Sequence, residues 1–333
     1  MSQKYVVTDI DPKSTSVYEF DKLSYPYKAK NSPLHRKIKF SNSEVEFYTV
    51  FWPIPKDVKF KARFLVVHGF CERAKVYDRL LDQLSCNGYE CLFFDQRGAG
   101  LTSPGKLKGL TNDHYSYKDL DNFIDYSYDQ LLEEKKPLNL YLLGHSMGGG
   151  LVLSYLAFGK HLDKVKGVVS AAPLILLHPK SKPSLIIEKM VTFVCWFKTD
   201  IKFNTNLAAE FVSSNQDYLD FCIADSMEDP VGTIGQLKDM IFRGRDLLEN
   251  NAISKIKNHD KPILILFGED DKINLMDGGI QFIDKINDKI PNENRKIVTF
   301  PNARHNLFLE TDDIFSATLN QILQFMDKQL DSL

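Results

Sequence analysis

The sequence contains no long apolar segment. Its longest apolar stretch, residues 185–197, is interrupted by Glu188 and Lys189 and is shorter than the roughly 20 residues that span a bilayer. Residues 1–22 have no apolar core of the length found in signal peptides. We therefore expect neither a membrane-spanning helix nor a secretory leader.

Cysteine is scarce, and the charges are nearly balanced. The five cysteines are odd in number and none belongs to a C-x-x-C pair, which argues against a disulfide framework and a zinc site. The 42 Lys and Arg residues nearly cancel the 44 Asp and Glu residues, without any basic block. We expect a cytoplasmic protein that needs no metal or cofactor and has no nucleic-acid partner.

Apolar runs typical of buried strands alternate with amphipathic segments typical of helices. Runs that are apolar at nearly every position indicate parallel strands covered on both faces. The strands are predicted at residues 63–68, 90–94, 138–143, 165–171, 262–267 and 295–300, after a hairpin at 36–40 and 45–51. The pattern predicts an α/β fold with a mostly parallel central sheet and helices on both faces.

This alternation is interrupted once, which divides the chain. Residues 1–30 are predicted to be a loosely ordered N-terminal extension, and residues 31–173 the first part of the α/β core. Residues 174–231 contain no obvious buried strand and are predicted to be an inserted cap, or lid. The alternation resumes in residues 232–333, the second part of the core.

The segment GHSMG, residues 144–148, follows a predicted strand and precedes a predicted helix. A G-x-S-x-G pattern in this context is typical of a sharp turn that exposes a nucleophilic serine, here Ser146. Glycine is needed beside the serine because a Cβ atom there brings strand and helix into collision. The alternative is a glycine-rich turn with a purely structural role.

A nucleophilic serine needs a base, and the base needs an orienting acid. Two later strands are followed by suitable residues in the order that this fold type uses. His305 follows the strand at 295–300, and Asp271, with Asp270 as the alternative, follows the strand at 262–267. The acidic cluster could instead only solvate its loop. Asp95 lies upstream of the serine, and we interpret it as a loop-bracing residue paired with Arg97.

The segment HGFCE, residues 68–72, follows the first long predicted strand. Backbone N–H groups at this position would face the serine turn and could bind an oxyanion. We predict the N–H groups of Phe70 and Met147 as the two donors. The alternative for His68-Gly69 is a simple turn. We interpret His68 itself as a structural hydrogen-bonding residue and not as a second base.

Five segments together resemble the monoacylglycerol lipase family of α/β-hydrolases, especially its fungal members, over about residues 33–330. They are HGFCE (68–72), FFDQRGAGLTSPG (93–105), GHSMGGG (144–150), LFGEDDKIN (266–274) and ARHNLF (303–308). The resemblance implies Ser146 as nucleophile, Asp271 as acid and His305 as base. It also implies hydrolysis of monoacylglycerols to glycerol and fatty acid, a mobile lid, and association with lipid droplets or membranes.

Two positions depart from the family pattern. The oxyanion segment of the family commonly reads HGxGE, and Cys71 replaces its second glycine. Animal members carry a second histidine shortly after the catalytic one, where this chain has Phe308. We therefore expect the loop geometry and the recognition of glycerol to differ in detail.

The apolar stretch at residues 185–197 leaves almost no polar face. We predict that one part lines an acyl tunnel and another touches lipid, with Trp196 and Phe197 beside Lys198 as an interfacial anchor. Packing of the whole stretch onto the core is the alternative. The predicted substrate contacts are Glu72, Leu174, Ile187, Met190, Val194 and Phe308.

Other functions compatible with the sequence use the same residues. A lysophospholipase, a thioesterase or a broad carboxylesterase acting on fatty acid alkyl esters needs the same triad. A lipid-binding, droplet-coating protein with an inactive site is a further alternative from another class. The complete set of serine, acid and base disfavours that last reading.

Overall fold

The structure is a computed structural model that describes residues 4–11, 24–225, 229–256 and 261–331. The side chains of residues 185–187 are not described, so the predicted substrate contact Ile187 lies outside the described side chains.

In the described parts of the chain, nine strands form one sheet in the order β1-β2-β3-β5-β4-β6-β7-β10-β11, and β8 and β9 form a separate ribbon. The first three neighbouring pairs of this order, β1–β2, β2–β3 and β3–β5, are antiparallel. The remaining neighbouring pairs of the sheet are parallel. The bounds are β1 Tyr5–Asp9, β2 Leu34–Phe40, β3 Glu46–Trp52, β4 Ala62–Val67, β5 Tyr89–Phe94, β6 Leu140–His145, β7 Gly167–Ala171, β8 Lys202–Asn204, β9 Val231–Thr233, β10 Ile263–Gly268 and β11 Arg295–Phe300. The predicted mostly parallel sheet is confirmed.

Helices cover both faces of the sheet. Their bounds are α1 Asp78–Cys86, α2 Asp113–Glu133, α3 Met147–Phe158, α4 Leu185–Val194, α5 Gln216–Ala224, α6 Ile234–Asp246, α7 Asn250–Lys255, α8 Met276–Lys289 and α9 Asp312–Asp331. Alternate residues of β4 face opposite sides, because side chains alternate along a strand. Phe64 and Val66 join the core beneath α1 and α9, whereas Leu65 and Val67 join the core beneath α2, α3 and α8.

The N-terminal segment differs from the prediction of a loosely ordered extension. Tyr5–Asp9 forms β1, which pairs antiparallel with β2 at the edge of the sheet. Four of its five residues are exposed, so the strand has no apolar alternation by which the sequence could reveal it.

Residues 174–231 contain α4, β8, α5 and the start of β9 among their described residues, and none of these belongs to the nine-stranded sheet. The ribbon of β8 and β9 returns the chain to α6. No helix in the described parts of the chain combines the length and apolar character required to cross a membrane.

The parallel strands carry the chemistry-bearing residues to one edge of the sheet. Ser146 follows β6, Asp271 lies just after β10, and His305 lies just after β11. Phe70 follows β4, the neighbour of β6. Since the carboxyl ends of parallel strands meet at one edge, residues far apart in sequence are brought together there.

Candidate active site

The backbone at Ser146 is held in a sharp turn between β6 and α3. Its φ of 52° and ψ of −115° lie in a region that side-chain-bearing residues rarely adopt. Three backbone hydrogen bonds of 2.9 Å fix it: its N–H donates to the Ala171 carbonyl, and its carbonyl accepts from Gly150 and Leu174. Such strain persists only where surrounding structure enforces it, as at catalytic turns.

Two glycines allow this turn. A Cβ atom at Gly148 would lie far inside contact distance of the Val67 carbonyl oxygen, and one at Gly144 would overlap the Gly148 carbonyl. These neighbours are backbone atoms and cannot rotate away. The glycines predicted from the G-x-S-x-G pattern are therefore required for α3 to approach β4.

An acid–base pair lies beside this turn. His305 Nδ1 is 2.8 Å from Asp271 Oδ2, and both side chains are almost fully buried. Asp271 Oδ1 accepts hydrogen bonds from the N–H groups of Ile273 at 2.8 Å and Asn274 at 3.0 Å. This arrangement suits a carboxylate that orients an imidazole, which presents its other nitrogen for proton transfer.

Asp270, the alternative acid, is placed differently. Its side chain is 55% exposed, and its oxygen lies 3.7 Å from Lys272 Nζ. The carboxylate that contacts the histidine is thus Asp271.

The side chains of the two residues predicted to supply oxyanion donors belong to one apolar group. Met147 is the first residue of α3, so its N–H has no acceptor within the helix. The Met147 side chain is buried in a small cluster with Leu174 and Met240, against which Phe70 packs. The assignment of the two N–H groups as oxyanion donors stays a prediction.

The departure from the family pattern at Cys71 has a backbone consequence. Cys71 has a φ of 59°, in the left-handed region that glycine adopts without strain. Its side chain is buried, and Sγ lies 3.4 Å from the Val231 carbonyl oxygen. The loop therefore retains a glycine-type conformation despite the replacement.

Glu72 is surrounded by protein hydrogen-bond donors. Oε2 accepts from the Gly69 N–H at 2.6 Å and from the Tyr77 hydroxyl, and Oε1 accepts from Asn306 Nδ2 at 3.1 Å. His145 Nδ1 lies 3.0 Å from Oε1. The carboxylate thus joins the segment after β4, the serine turn and the loop that carries His305.

Glu72 and His145 each stabilise the charged form of the other. Burial opposes the charged form of both groups, yet the imidazole lowers the pKa of the Glu72 carboxyl to about 2. Although burial also lowers the pKa of His145, the Glu72 carboxylate outweighs it, so the pKa of His145 is raised above its ordinary value. The directions of both pKa shifts therefore favour the ion pair.

His68 and Asp95 have structural roles, as predicted. His68 Nε2 accepts the Gln96 N–H at 2.9 Å, and Nδ1 donates to the Gly69 carbonyl at 2.7 Å. Burial lowers the pKa of His68, which suits this neutral ring. Asp95 accepts the N–H groups of Ala74 at 3.0 Å and Leu101 at 2.7 Å, so it braces the loops around it.

The predicted pairing of Asp95 with Arg97 is wrong. Arg97 Nε and Nη2 instead bind the two carboxylate oxygens of Asp119, both at 2.9 Å. A two-point contact of this kind satisfies the planar guanidinium better than a single oxygen does. The sequence does not reveal it, because Asp119 lies on α2.

Ser146 and His305 border one large cavity with a volume of about 740 Å³. Its walls are mostly apolar, and many come from residues 174–231. The predicted contacts Glu72 and Leu174 line the cavity. Lining residues that the sequence did not single out include Val191, Phe203, Leu207, Val212 and Ile241.

Three other predicted substrate contacts lie away from this wall. Met190 is 61% exposed on the outer face of α4, and Val194 is partly buried but is not a lining residue. Phe308 is buried beneath the site, with its ring centroid 6.1 Å from that of Tyr77 and 5.8 Å from that of His145. Helical periodicity could have separated Met190 from Val191, but only the fold shows which face meets the cavity.

A parallel sheet in this order, with a serine at the turn between β6 and α3, defines the α/β-hydrolase class. The family described as serine aminopeptidase, S33, matches residues 58–312. The monoglyceride lipase of Saccharomyces cerevisiae is 36% identical over 91% of this chain and 96% of its own length. The chain belongs to the monoglyceride lipase family of α/β-hydrolases.

Solved structures agree with this placement. A soluble variant of the Saccharomyces cerevisiae monoglyceride lipase, in complex with a substrate analog, aligns with a TM-score of 0.85 and 36% identity, covering 92% of this chain and 99% of that chain. The monoacylglycerol lipase of Paleococcus ferrophilus shares the fold, with a TM-score of 0.70 and 22% identity over 85% of this chain and 99% of that chain.

The left-handed backbone at Cys71 leads to a prediction about the relative stability of two Cys71 variants. Cys71→Gly is expected to be more stable than Cys71→Ala by about 1 kcal/mol, because alanine retains the strain of a positive φ and glycine does not. Thermal unfolding of the two purified variants measures the difference. Ala74→Gly, at a nearby residue without a positive φ, is the control and should destabilise the protein; greater stability of Cys71→Ala would contradict the interpretation.

Proposed function

We propose that the chain hydrolyses monoacylglycerols to glycerol and free fatty acid, with Ser146 as nucleophile, His305 as base and Asp271 as orienting acid. The observation that carries this proposal is that Ser146 and His305 border the same apolar cavity, and that Asp271 is hydrogen-bonded to His305. The 36% identity with a monoglyceride lipase supports the substrate class. The cavity walls suit an acyl chain better than a polar substrate.

In the acylation step, His305 Nε2 takes the proton of Ser146 Oγ as this oxygen attacks the ester carbonyl carbon. The N–H groups of Phe70 and Met147 donate to the oxyanion of the tetrahedral intermediate. When the intermediate collapses, the bond to the glycerol oxygen breaks and His305 gives its proton to that oxygen. Glycerol leaves, and the acyl group remains on Ser146.

In the deacylation step, His305 takes a proton from water as the water oxygen attacks the acyl carbon. Collapse of the second intermediate breaks the bond to Ser146 Oγ, which regains a proton from His305. The fatty acid is released. Asp271 accepts a hydrogen bond from the Nδ1–H of His305 throughout, which fixes the ring orientation.

Residues 174–231 act in this proposal as a cap with one fixed part and one movable part. The backbone N–H groups of His305 and Asn306 donate to the carbonyls of Phe211 at 3.3 Å and Val212 at 2.7 Å. In contrast, the ion pair that joins α4 to α6, Glu188 with Arg245, is partly exposed. Opening for substrate entry is therefore expected at α4.

The outer surface of the cap supports contact with a lipid surface. Trp196 and Phe197 are 79% and 77% exposed, and the ring centroid of the exposed Phe193 lies 5.4 Å from that of Phe197. Met190 and Ile201, in the same part of the cap sequence, are exposed as well. Exposed large apolar side chains of this kind are typical of interaction sites and suit uptake of substrate from a membrane or lipid droplet.

The triad assignment is tested by three substitutions. Ser146→Ala and Asp271→Asn are each expected to lower kcat by about 10,000-fold or more, through loss of the nucleophile or of the imidazole orientation. Fatty acid release from a 2-monoacylglycerol measures the effect. Asp270→Asn is the matched control and should retain activity, because the Asp270 side chain points to solvent.

Two results would contradict this assignment. Near wild-type hydrolysis by Ser146→Ala would exclude the serine mechanism, and a loss confined to Asp270→Asn would move the acid to that residue. Labelling of Ser146 by a fluorophosphonate separates an active hydrolase from a lipid-binding protein with an inactive site. Parallel assays with lysophosphatidylcholine, an acyl thioester and a fatty acid ethyl ester test the alternative substrate classes.

The lipid contact is tested by the double substitution Trp196→Ser and Phe197→Ser. Binding to phosphatidylcholine vesicles is expected to fall at least about tenfold, since each apolar side chain contributes about 1.5–3 kcal/mol when buried. Sedimentation with vesicles measures it. Leu132→Ser, at a half-exposed position on α2, is the control; equal binding by the double variant and wild type would exclude this surface.

A further inference from the structure

We propose that Glu72 and His145 form a buried ion pair that fixes the oxyanion loop and the His305 loop in position relative to Ser146. Both are positioning residues for the hydrolysis, so this inference rests on the proposed function. For this purpose, the oxyanion loop is residues 69–72 and the His305 loop is residues 303–308. Neither side chain is assigned a step in the acyl transfer itself.

The contacts of Glu72 reach the site from three directions. The Gly69 N–H bonds to Oε2 at 2.6 Å, directly before the proposed oxyanion donor Phe70. Asn306 Nδ2 bonds to Oε1 at 3.1 Å, directly after His305. His145, directly before Ser146, faces both oxygens at 3.0 and 3.1 Å. One carboxylate thus contacts a neighbour of each proposed reacting group.

The hydrogen-bond pattern of His145 favours a charged ring. Nδ1 faces the Glu72 carboxylate, and Nε2 faces the His305 carbonyl oxygen at 3.4 Å. An ionised carboxylate and a carbonyl are both acceptors, so an imidazolium, which has two N–H groups, can donate to both. The raised pKa of His145 and the lowered pKa of Glu72 agree with this geometry.

The pair occupies a place where small displacements affect catalysis. The His145 ring centroid is 4.9 Å from that of His305, and the His145 side chain is fully buried. Misplacement of a reacting group by about 1 Å can lower a rate about 100-fold. Loss of the Glu72 charge would remove the group that holds the buried His145 ring in its protonated form. The ring would then lose a proton, and one of its nitrogens would no longer donate to the acceptor it faces.

The chain offers a matched control in a second buried pair. Glu90 accepts from Arg63 Nε at 3.1 Å and from Nη2 at 2.7 Å, and both side chains are nearly inaccessible. Glu90 and Arg63 lie near the starts of β5 and β4, at the opposite edge of the sheet from Ser146. Glu90→Gln therefore repeats the chemical change without touching the site.

The central experiment compares Glu72→Gln with wild type, Glu90→Gln and Ser146→Ala. Glu72→Gln is expected to lower kcat for a 2-monoacylglycerol by about 10–100-fold, because the positions of the two loops relative to Ser146 are altered. The rate of fluorophosphonate labelling of Ser146 should fall by a similar factor. Glu90→Gln should lower the unfolding temperature and retain kcat.

A double substitution tests whether the two residues act as a pair. In Glu72→Gln combined with His145→Gln, the kcat loss is expected to be no larger than that of Glu72→Gln alone, because the ion pair is already lost in the single variant. Multiplied losses would mean that the residues act independently and would overturn the pairing. Tyr77→Phe, which removes one donor and leaves both charges, should have a smaller effect on kcat.

The outcomes separate this inference from the proposed function. Wild-type kcat and labelling in Glu72→Gln would overturn the positioning role while the Ser146 mechanism stands. An equal loss of kcat in Glu90→Gln would also overturn it, because general destabilisation would then explain the effect. Activity surviving in Ser146→Ala would instead overturn the proposed function, whatever Glu72→Gln does.

Discussion

The site depends on one steric constraint, the close approach of α3 to β4. That approach exists because residue 148 has no Cβ atom to meet the Val67 carbonyl. It places the strained Ser146 backbone at the end of β6 and the N-terminus of α3 directly after it. The proposed nucleophile Ser146 and the proposed oxyanion donor, the Met147 N–H, therefore belong to a single turn.

What the sequence predicted well follows from rules that act locally. Apolar runs predicted the parallel strands, and chain order placed Asp271 and His305 after β10 and β11. A strand end fixes where the next residue emerges, so the position of an acid or base is predictable to within a residue or two. The choice between Asp270 and Asp271 was the limit of that reasoning, because adjacent side chains in a loop point in different directions and only one of them meets His305.

What the sequence missed involves contacts between distant segments. The partners of Glu72 include Tyr77, five residues away, and Asn306, 234 residues away, so no spacing rule links them. The edge strand Tyr5–Asp9 was missed because an exposed edge lacks apolar alternation. The inner wall of the cap was missed because an almost wholly apolar helix carries no signal that separates the face towards the cavity from the face towards solvent.

Two carboxylate–imidazole pairs lie side by side in this site, and their surroundings give them different roles. His305 with Asp271 and His145 with Glu72 have similar geometries, at 2.8 and 3.0 Å, but only His305 borders the cavity. The far nitrogen of His145 faces a backbone carbonyl, so that ring has no position from which to exchange a proton with substrate. Residue type alone cannot distinguish a histidine placed to act as a base from one with a structural role. The difference lies in what the fold places opposite Nε2, the nitrogen that does not face the carboxylate.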